Sequence, residues 1–572
     1  MTECFDARTY AQGTRCPWHL WLADHRKEWR TPKTPSSSTP YWEIDELAAQ
    51  RYPDARRPWI PGGDIVTWAD EHGMDPNDPA TKRVALAEDT ARLVESGAPT
   101  IAGGVFQSGN LWARVDMMLR ETTPDGTGWR VVTFSSSSGG VLDKPGRLTP
   151  DAARIPAFNL YLLTRAGLTV TSSALLHFNR AYVREGAIDV EQLFTVTDCT
   201  AEAESLQDGM PASLANLQET RASTAEIEPP RGPQCLKPNR CDFYDYCWKP
   251  YAGQKTVLDI PHVSGKVRQA AINEGVVTFA DVRNAEYQLP GRDHPLNVRQ
   301  RQRVDDVLDG GPPRMDIPAL RDFLALVRYP LYHLDFETFR YPVPPYDGLR
   351  PYQQVPFQYS VHIQQSPGAE PAHEDFLADE GDDPRWDLAS HLARAIPADA
   401  CVLVFNDTFE KNRLKELAWW VSREDPALAD HLLSIRDNIV DLLKPFRSGA
   451  YVDPAQQGSN SIKKVLPAMF PDDPSLNYAN LDGVSNGGQA ADQYLDLRCL
   501  ATAPVTDVDA GHVLSPDERD QYWELSEDQR ESYLVERRRL YRDRVRHELL
   551  TYCGLDTYAM VRILDRLFEI TA

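Results

Sequence analysis

The segment YHLDFETF (332–339) decides the reading of the C-terminal part of this chain. Successive side chains on a β-strand point to opposite faces, so Asp335 and Glu337 share a face and can reach one point in space. Two carboxylates side by side on an otherwise apolar strand repel each other unless a cation sits between them. A divalent metal with oxygen ligands is the economical solution. A solvated strand end would also accept an Asp-x-Glu pair, so the pair needs partners elsewhere in the chain.

Two later segments offer them. VLVFNDTFEKNRLKELA (402–418) reads as a strand, a turn and a helix, and Glu410 brings a third carboxylate to the strand-to-helix junction. The helix dipole alone would also favour an acid there. In YCGLDTYAMVRIL (552–564), Tyr552 and Asp556 stand four apart on a helix and share a face, while Leu555, Ala559 and Ile563 pack it. Strands are expected at 331–339, 357–364 and 401–405, a helix at 409–421 and a long helix from about 526 to 570. RPYQQVPFQYS (350–360) offers Arg350, Gln353, Gln354 and Gln358, and GSNSIKKVLP (458–467) offers Ser459, Ser461, Lys463 and Lys464, as possible phosphate contacts; ordinary loop and helix-start chemistry is the competing account.

Working outward, the chain has 572 residues, 42% apolar and 25% charged, which predicts a globular protein with a buried core and more than one domain. Acids outnumber bases 84 to 61, a formal charge of −23. That excludes a basic nucleic-acid coat protein and argues against an anionic-membrane binder. Residues 331–572 hold 41 of those acids and 24 of those bases, so most of the excess lies there. No apolar leader opens the chain and no stretch nears 18 uninterrupted apolar residues, so a cytoplasmic protein with no membrane association is expected.

Residues 1–250 read as mixed α/β. A helix is expected at 80–96, strands at 111–120, 128–138 and 173–179, and an apolar helix at 157–167. Residues 251–327 read as a helical connector; IPHVSGKVRQAAINEGVVTFADV (260–282) forms two short helices around a glycine, resembling small DNA-backbone hairpins of nucleases, and Pro/Gly at 290–313 suggests exposed loops. A third unit spans 328–572. Among nine cysteines, Cys235, Cys241 and Cys247 in GPQCLKPNRCDFYDYCW (232–248) are spaced C-x5-C-x5-C, unlike a typical zinc finger. Cys16 in RCPWHLWL (15–22) is the candidate fourth ligand.

The ordered set D-x-E, N-x-x-F-E, Y-x-x-x-D resembles the three exonuclease motifs of the DnaQ-like, DEDD superfamily, nearest its DEDDy branch. The resemblance implies a ribonuclease H-like fold with a mixed sheet and a 3′–5′ exonuclease. Asp335, Glu337, Glu410 and Asp556 would hold two Mg²⁺ or Mn²⁺ ions, and Tyr552 would orient or help deprotonate the attacking water. Glu410 stands where that superfamily usually has aspartate. The cysteine pattern resembles RecB-like nucleases of restriction-endonuclease-like α/β fold, whose staple implies a [4Fe–4S] cluster on Cys16, Cys235, Cys241 and Cys247, with Zn²⁺ as the rival. There Asp116 matches the first PD-(D/E)xK acid, but Thr133 and Ser135 fill the E-x-K positions and Asn159 the following glutamine position. That fold is therefore expected to be catalytically degenerate unless an acid such as Asp143 has migrated. RCPWHLWL, LLHFNRAYVREG (175–186), YHLDFETF and YCGLDTYAMV together resemble a bacterial family of unknown function joining a RecB-like module to a DnaQ-like, YprB-type domain. The partner implied is a DNA or RNA strand end, and the alternative is a catalytically inactive nucleic-acid-binding or assembly protein.

Overall fold

In the computed structural model the described residues are 5–31, 41–59, 65–124, 126–137, 142–144, 147–224, 228–237, 239–502, 505 and 510–572. They form a mixed α/β protein in two units. The first comprises described residues up to 252 together with 342–352; the second comprises 253–341 and 353–572. The stretch expected as a connector thus falls within the second unit.

The first unit opens with α1 (Ala7–Arg15) and α2 (Pro17–His25), with Cys16 between them. After α3 (Pro79–Glu95) come β1 (Thr100–Ser108), β2 (Leu111–Thr123) and β3 (Gly126–Ser135). α4 (Pro150–Arg165) crosses to β4 (Val170–Phe178), and β5 (Phe194–Asp198) completes the sheet. The strand order is β1-β2-β3-β4-β5, with β3 and β4 parallel and the other neighbours antiparallel. The helix expected at 157–167 starts seven residues earlier. Thr149 caps it by accepting the Ala152 N–H, and Pro150 takes the first position, where no N–H is needed. Pro156, an apparent breaker, is absorbed inside the helix.

The second unit begins with the expected helical pair, α5 (Gly265–Asn273) and α6 (Phe279–Asn284), separated by Gly275 at φ +80. The stretch expected as loop at 290–313 instead contains α7 (Val298–Asp309). Asn297 and Gln300 form a capping box that starts it, a signal outweighed in the sequence by the nearby Pro and Gly. The main sheet follows: β6 (Leu331–Arg340), β7 (Gln354–Gln364), β8 (Ala372–Leu377), β9 (Cys401–Val404) and β10 (Ile439–Asp441). Its order is β8-β7-β6-β9-β10; β6, β7 and β8 run antiparallel, and β9 is parallel to both β6 and β10. α8 (Asp407–Val421) covers one face, where Leu334, Phe336, Val402, Leu414 and Leu417 join one core. α9 (Ile462–Met469), α10 (Gly487–Thr502) and the 45-residue α11 (Glu527–Thr571) complete the unit. Among the described residues, no helix is long and apolar enough to cross a membrane.

Candidate metal centre and cysteine cluster

β6 is the central strand of its sheet, so the face bearing Asp335 and Glu337 is covered rather than solvated. α11 does the covering and is tied down by polar contacts. Gln358 Nε2 donates to Leu549 O at 2.8 Å, and the Ser360 and Thr557 hydroxyls meet at 2.7 Å. Ser360 lies opposite Asp335 in the β6–β7 register and Thr557 follows Asp556, so these contacts set the helix against the strand beside the site. Gln358, a candidate phosphate contact, is therefore fully buried and committed to the fold. Gln354 likewise accepts from Arg413. Arg350 belongs to the segment grouped with the first unit.

The result is convergence. Carboxylate oxygens of Asp335, Glu337 and Asp556 lie within 4.8 Å of one another. Glu337 and Asp556 are only 7% and 8% exposed. Burial first, then the charges of Asp556, Glu337 and Glu410, hold Asp335 well above the ordinary carboxylate range. Burial, with Asp556 next, pushes Glu337 up to about 8. Burial also raises Asp556, against the lowering pull of the Tyr478 hydroxyl, Lys463 and Tyr552. Packed carboxylates with raised proton affinity are sites where a bound cation relieves both repulsion and desolvation. Close approach of the backbone at Gly487 shapes the cradle: a Cβ there would meet Glu337 Oε2 at 3.3 Å.

Glu410 reaches the site from another direction. Asn406 takes the left-handed conformation at φ 89, which asparagine tolerates better than most residues, and its N–H donates to Asp441 at 2.9 Å. This turn launches α8 and places Glu410 in its first turn. The side chain is 2% exposed, and its Oε2 has no hydrogen-bond partner. Burial first, then Asp441 and Asp407, push it up to about 8. Glu410 stands outside the close trio, yet near enough to raise Asp335.

Tyr552 and a lysine complete the site. Lys463, on α9, donates to the Tyr552 hydroxyl at 3.2 Å and to Ser485 O at 2.6 Å. Its ammonium sits 4.8 Å from the Tyr552 ring centre and 5.0 Å from that of Tyr478. Burial lowers the lysine against the pull of three acids. Burial, followed by the charges of Asp556, Glu337 and Asp335, keeps the Tyr552 phenol protonated well above its usual range. The Tyr478 hydroxyl donates to Asp556 Oδ1 at 2.5 Å. Sequence inspection passed over Tyr478 and Asp441, because FPDDPSLNYAN and NIVDLL carry no spacing that marks either. Asp441 is fully buried and accepts two backbone N–H groups, from Asn406 and Leu443.

Residues 332–461 match the domain of unknown function DUF2779. That span carries Asp335, Glu337 and Glu410 and stops short of Lys463, Tyr552 and Asp556. No curated protein and no solved structure matches the chain.

In the first unit, Cys16, Cys235, Cys241 and Cys247 line one cavity of about 170 Å³. Cys16 sits between α1 and α2, and the Cys241 N–H donates to Cys235 O at 2.8 Å. None forms a disulfide. Burial pushes Cys16 up to about 11 and Cys247 to about 12, each helped by the charges of the other cluster cysteines. A single tetrahedral zinc with bonds of about 2.3 Å needs sulfurs roughly 3.8 Å apart. Among the described residues only the Asp335–Glu337–Asp556 group brings three metal-ligand atoms within 4.8 Å of one another.

The residues matched to nuclease positions in the sequence fall on β2, β3 and α4. Asp116, on β2, accepts the Phe134 N–H at 2.8 Å. Thr133, on β3, is buried and receives a hydrogen bond from Asn159 Nδ2 at 3.3 Å. The side chain of Asp143 lies outside the described residues.

Proposed function

We propose that this protein is a metal-dependent exonuclease that hydrolyses phosphodiester bonds of DNA or RNA from the 3′ end. The observation that carries the reading is the meeting of Asp335 with the buried Glu337 and Asp556 within 4.8 Å, with Glu410 close behind. The strand order of the second sheet, three antiparallel strands followed on the other side of the first by two parallel ones, is what a ribonuclease H-like fold calls for. The donor set is all oxygen, which suits Mg²⁺ or Mn²⁺. Asp335, Glu337 and Asp556 would share one ion, and Asp335 with Glu410 would hold a second. Bound divalent ions would supply an acidified water and charge neutralisation at the leaving oxygen.

The chain's own groups have separate roles. Tyr552 orients water by hydrogen bonding. Lys463 positions that phenol and lends the site a positive charge. Tyr478 holds Asp556 in its rotamer. In the first unit, Thr133 and Ser135 supply neither a carboxylate nor a cation, which supports a RecB-like fold without nuclease chemistry of its own. Its four cysteines would hold a [4Fe–4S] cluster that ties residues 219 positions apart, with a single zinc as the rival.

A second reading is a catalytically inactive nucleic-acid-binding protein. It is motivated by the position of Glu410 outside the close trio. Strands labelled at either end, incubated with Mn²⁺, separate the two. Stepwise loss from the 3′ end that vanishes in Asp335→Ala supports the exonuclease; strand binding with no turnover under Mg²⁺ or Mn²⁺ supports the second reading.

A further inference from the structure

The second unit contains a cavity of about 600 Å³ outside the acid centre, between α7 and the loop residues 446–460. That volume lies in the range of small-ligand sites. In a chain of net charge −23, this wall is locally basic: Arg299, Arg303, Arg314 and Arg447 all line it, against Asp306 and Asp453. Both acids are already engaged. Asp306 pairs with Arg314 at 2.7 Å, and Asp453 accepts the Ala455 N–H at 2.8 Å. Arg303 and Arg299 have no hydrogen bond or ion pair within the described residues. Arg303 is half-buried even so, and burial lowers it. Gly458 makes room for it, since a Cβ there would lie 2.6 Å from Arg303 Nε. A buried donor beside the cavity also lacks a partner. Gln456 lines the cavity, is 3% exposed, and its Nε2 has no acceptor.

Two guanidinium groups on one cavity wall without a protein partner, Arg303 half-buried and Arg299 exposed, call for an anion with several acceptor oxygens, and phosphate is the natural match. The cavity also adjoins the acid centre through the chain itself. Arg447 lies 3.5 Å from Asp441, which bears on Glu410, and the loop through Gly458 leads directly into α9 and Lys463. We infer that this cavity is a phosphate-binding subsite for the sugar–phosphate backbone of a nucleic-acid strand whose end lies in the acid centre. The inference rests on the nuclease reading for the strand's destination, but its own content is phosphate recognition by Arg303, Arg299 and Gln456.

The test is strand binding by the full-length protein in EDTA, read by fluorescence anisotropy of a labelled single strand across a salt series. Each phosphate contact contributes roughly 0.7 to the slope of log affinity against log salt for a single strand. Arg303→Gln and Arg299→Gln, the latter at an exposed position, should each lower the slope by about that amount and weaken binding about fivefold, and Arg303→Lys should keep the slope. A merely structural role for Arg303 would not respond to charge in this way, and Arg299→Gln carries no folding risk. Unchanged slopes in both Gln variants overturn the subsite. So does a nucleoside monophosphate, or inorganic phosphate, that competes as well as the strand, because the ligand is then a free phosphate. Slopes that fall as expected in a protein without turnover under Mn²⁺ keep the subsite and remove the exonuclease. Turnover with unaltered slopes does the reverse.

Discussion

If the acid trio is built for a cation, the metal-free protein pays for it in a pH-dependent way. Glu337 rises from an ordinary 4.5 to about 8 on folding. A carboxyl raised in the folded state binds more protons there than in the unfolded chain, so stability falls as pH rises from about 4.5 through about 8. At 1.36 kcal/mol per pH unit, this one group contributes on the order of 5 kcal/mol. Asp335, Asp556 and Glu410, also raised by burial, add to the same trend, and two sets of groups outside the acid centre act on the curve as well. Asp496, raised to about 7, tilts it the same way. His333 and His362, held down to about 3 and 4 by burial, tilt it oppositely, costing stability as pH falls below the histidine range. Neither set belongs to the trio, so both cancel when melting curves with EDTA and with Mn²⁺ are subtracted. Protons and metal compete for the same oxygens. The Mn²⁺-induced rise in Tm of the second unit should therefore be small at pH 5 and roughly 7 °C at pH 8.5, using about 1.5 °C per kcal/mol for a unit of about 300 residues. Glu337→Gln should raise the Tm in EDTA at pH 8.5 and shrink the Mn²⁺ effect. A Mn²⁺ effect equal at the two pH values, or larger at pH 5, would refute the reasoning.

Other expectations follow from single contacts. Tyr478→Phe removes the 2.5 Å hydrogen bond to a buried carboxylate and should cost about 1.5–3 kcal/mol in the metal-free protein, measured by denaturant unfolding. Gly483→Ala places a Cβ 2.0 Å from Glu548 Oε2 at a backbone φ of +74; strain of about 1–2 kcal/mol plus the clash should lower the Tm in the same assay. Lys463→Met should lower the rate of strand cleavage at saturating Mn²⁺ by more than tenfold while leaving the fold intact by circular dichroism. Anaerobically purified protein should be brown, and Cys241→Ser should lose the visible absorbance; a colourless protein with stoichiometric zinc would exclude the cluster.

The motif residues were legible because chemistry and spacing coincide in them. Asp335 and Glu337 alternate on a strand, Tyr552 and Asp556 recur at one helical turn, and Asn406 marks the sharp turn that presents Glu410. Tyr478 was not legible, since its role depends on a loop folding back over α11 from 78 residues away. Lys463 was noticed only as a possible phosphate contact; that it reaches Tyr552 follows from how α9 packs, which no local pattern reports. Gln358 misled for the opposite reason. A glutamine beside an acid-bearing strand suggests substrate contact, whereas here its Nε2 donates to the Leu549 carbonyl of α11 and ties the helix to the sheet. The arginine cavity was hidden because α7 sits in a stretch whose Pro and Gly suggested loop, although Asn297 and Gln300 carry the capping signal.

The most direct test of the central claim follows a 5′-labelled single strand during a Mn²⁺ titration, with wild type and Asp335→Ala side by side. The acid centre as described here predicts a ladder of products shortened one nucleotide at a time in wild type, none in EDTA, and none in the variant. Equal degradation by both proteins, or no degradation by wild type with Mn²⁺ bound, would contradict it.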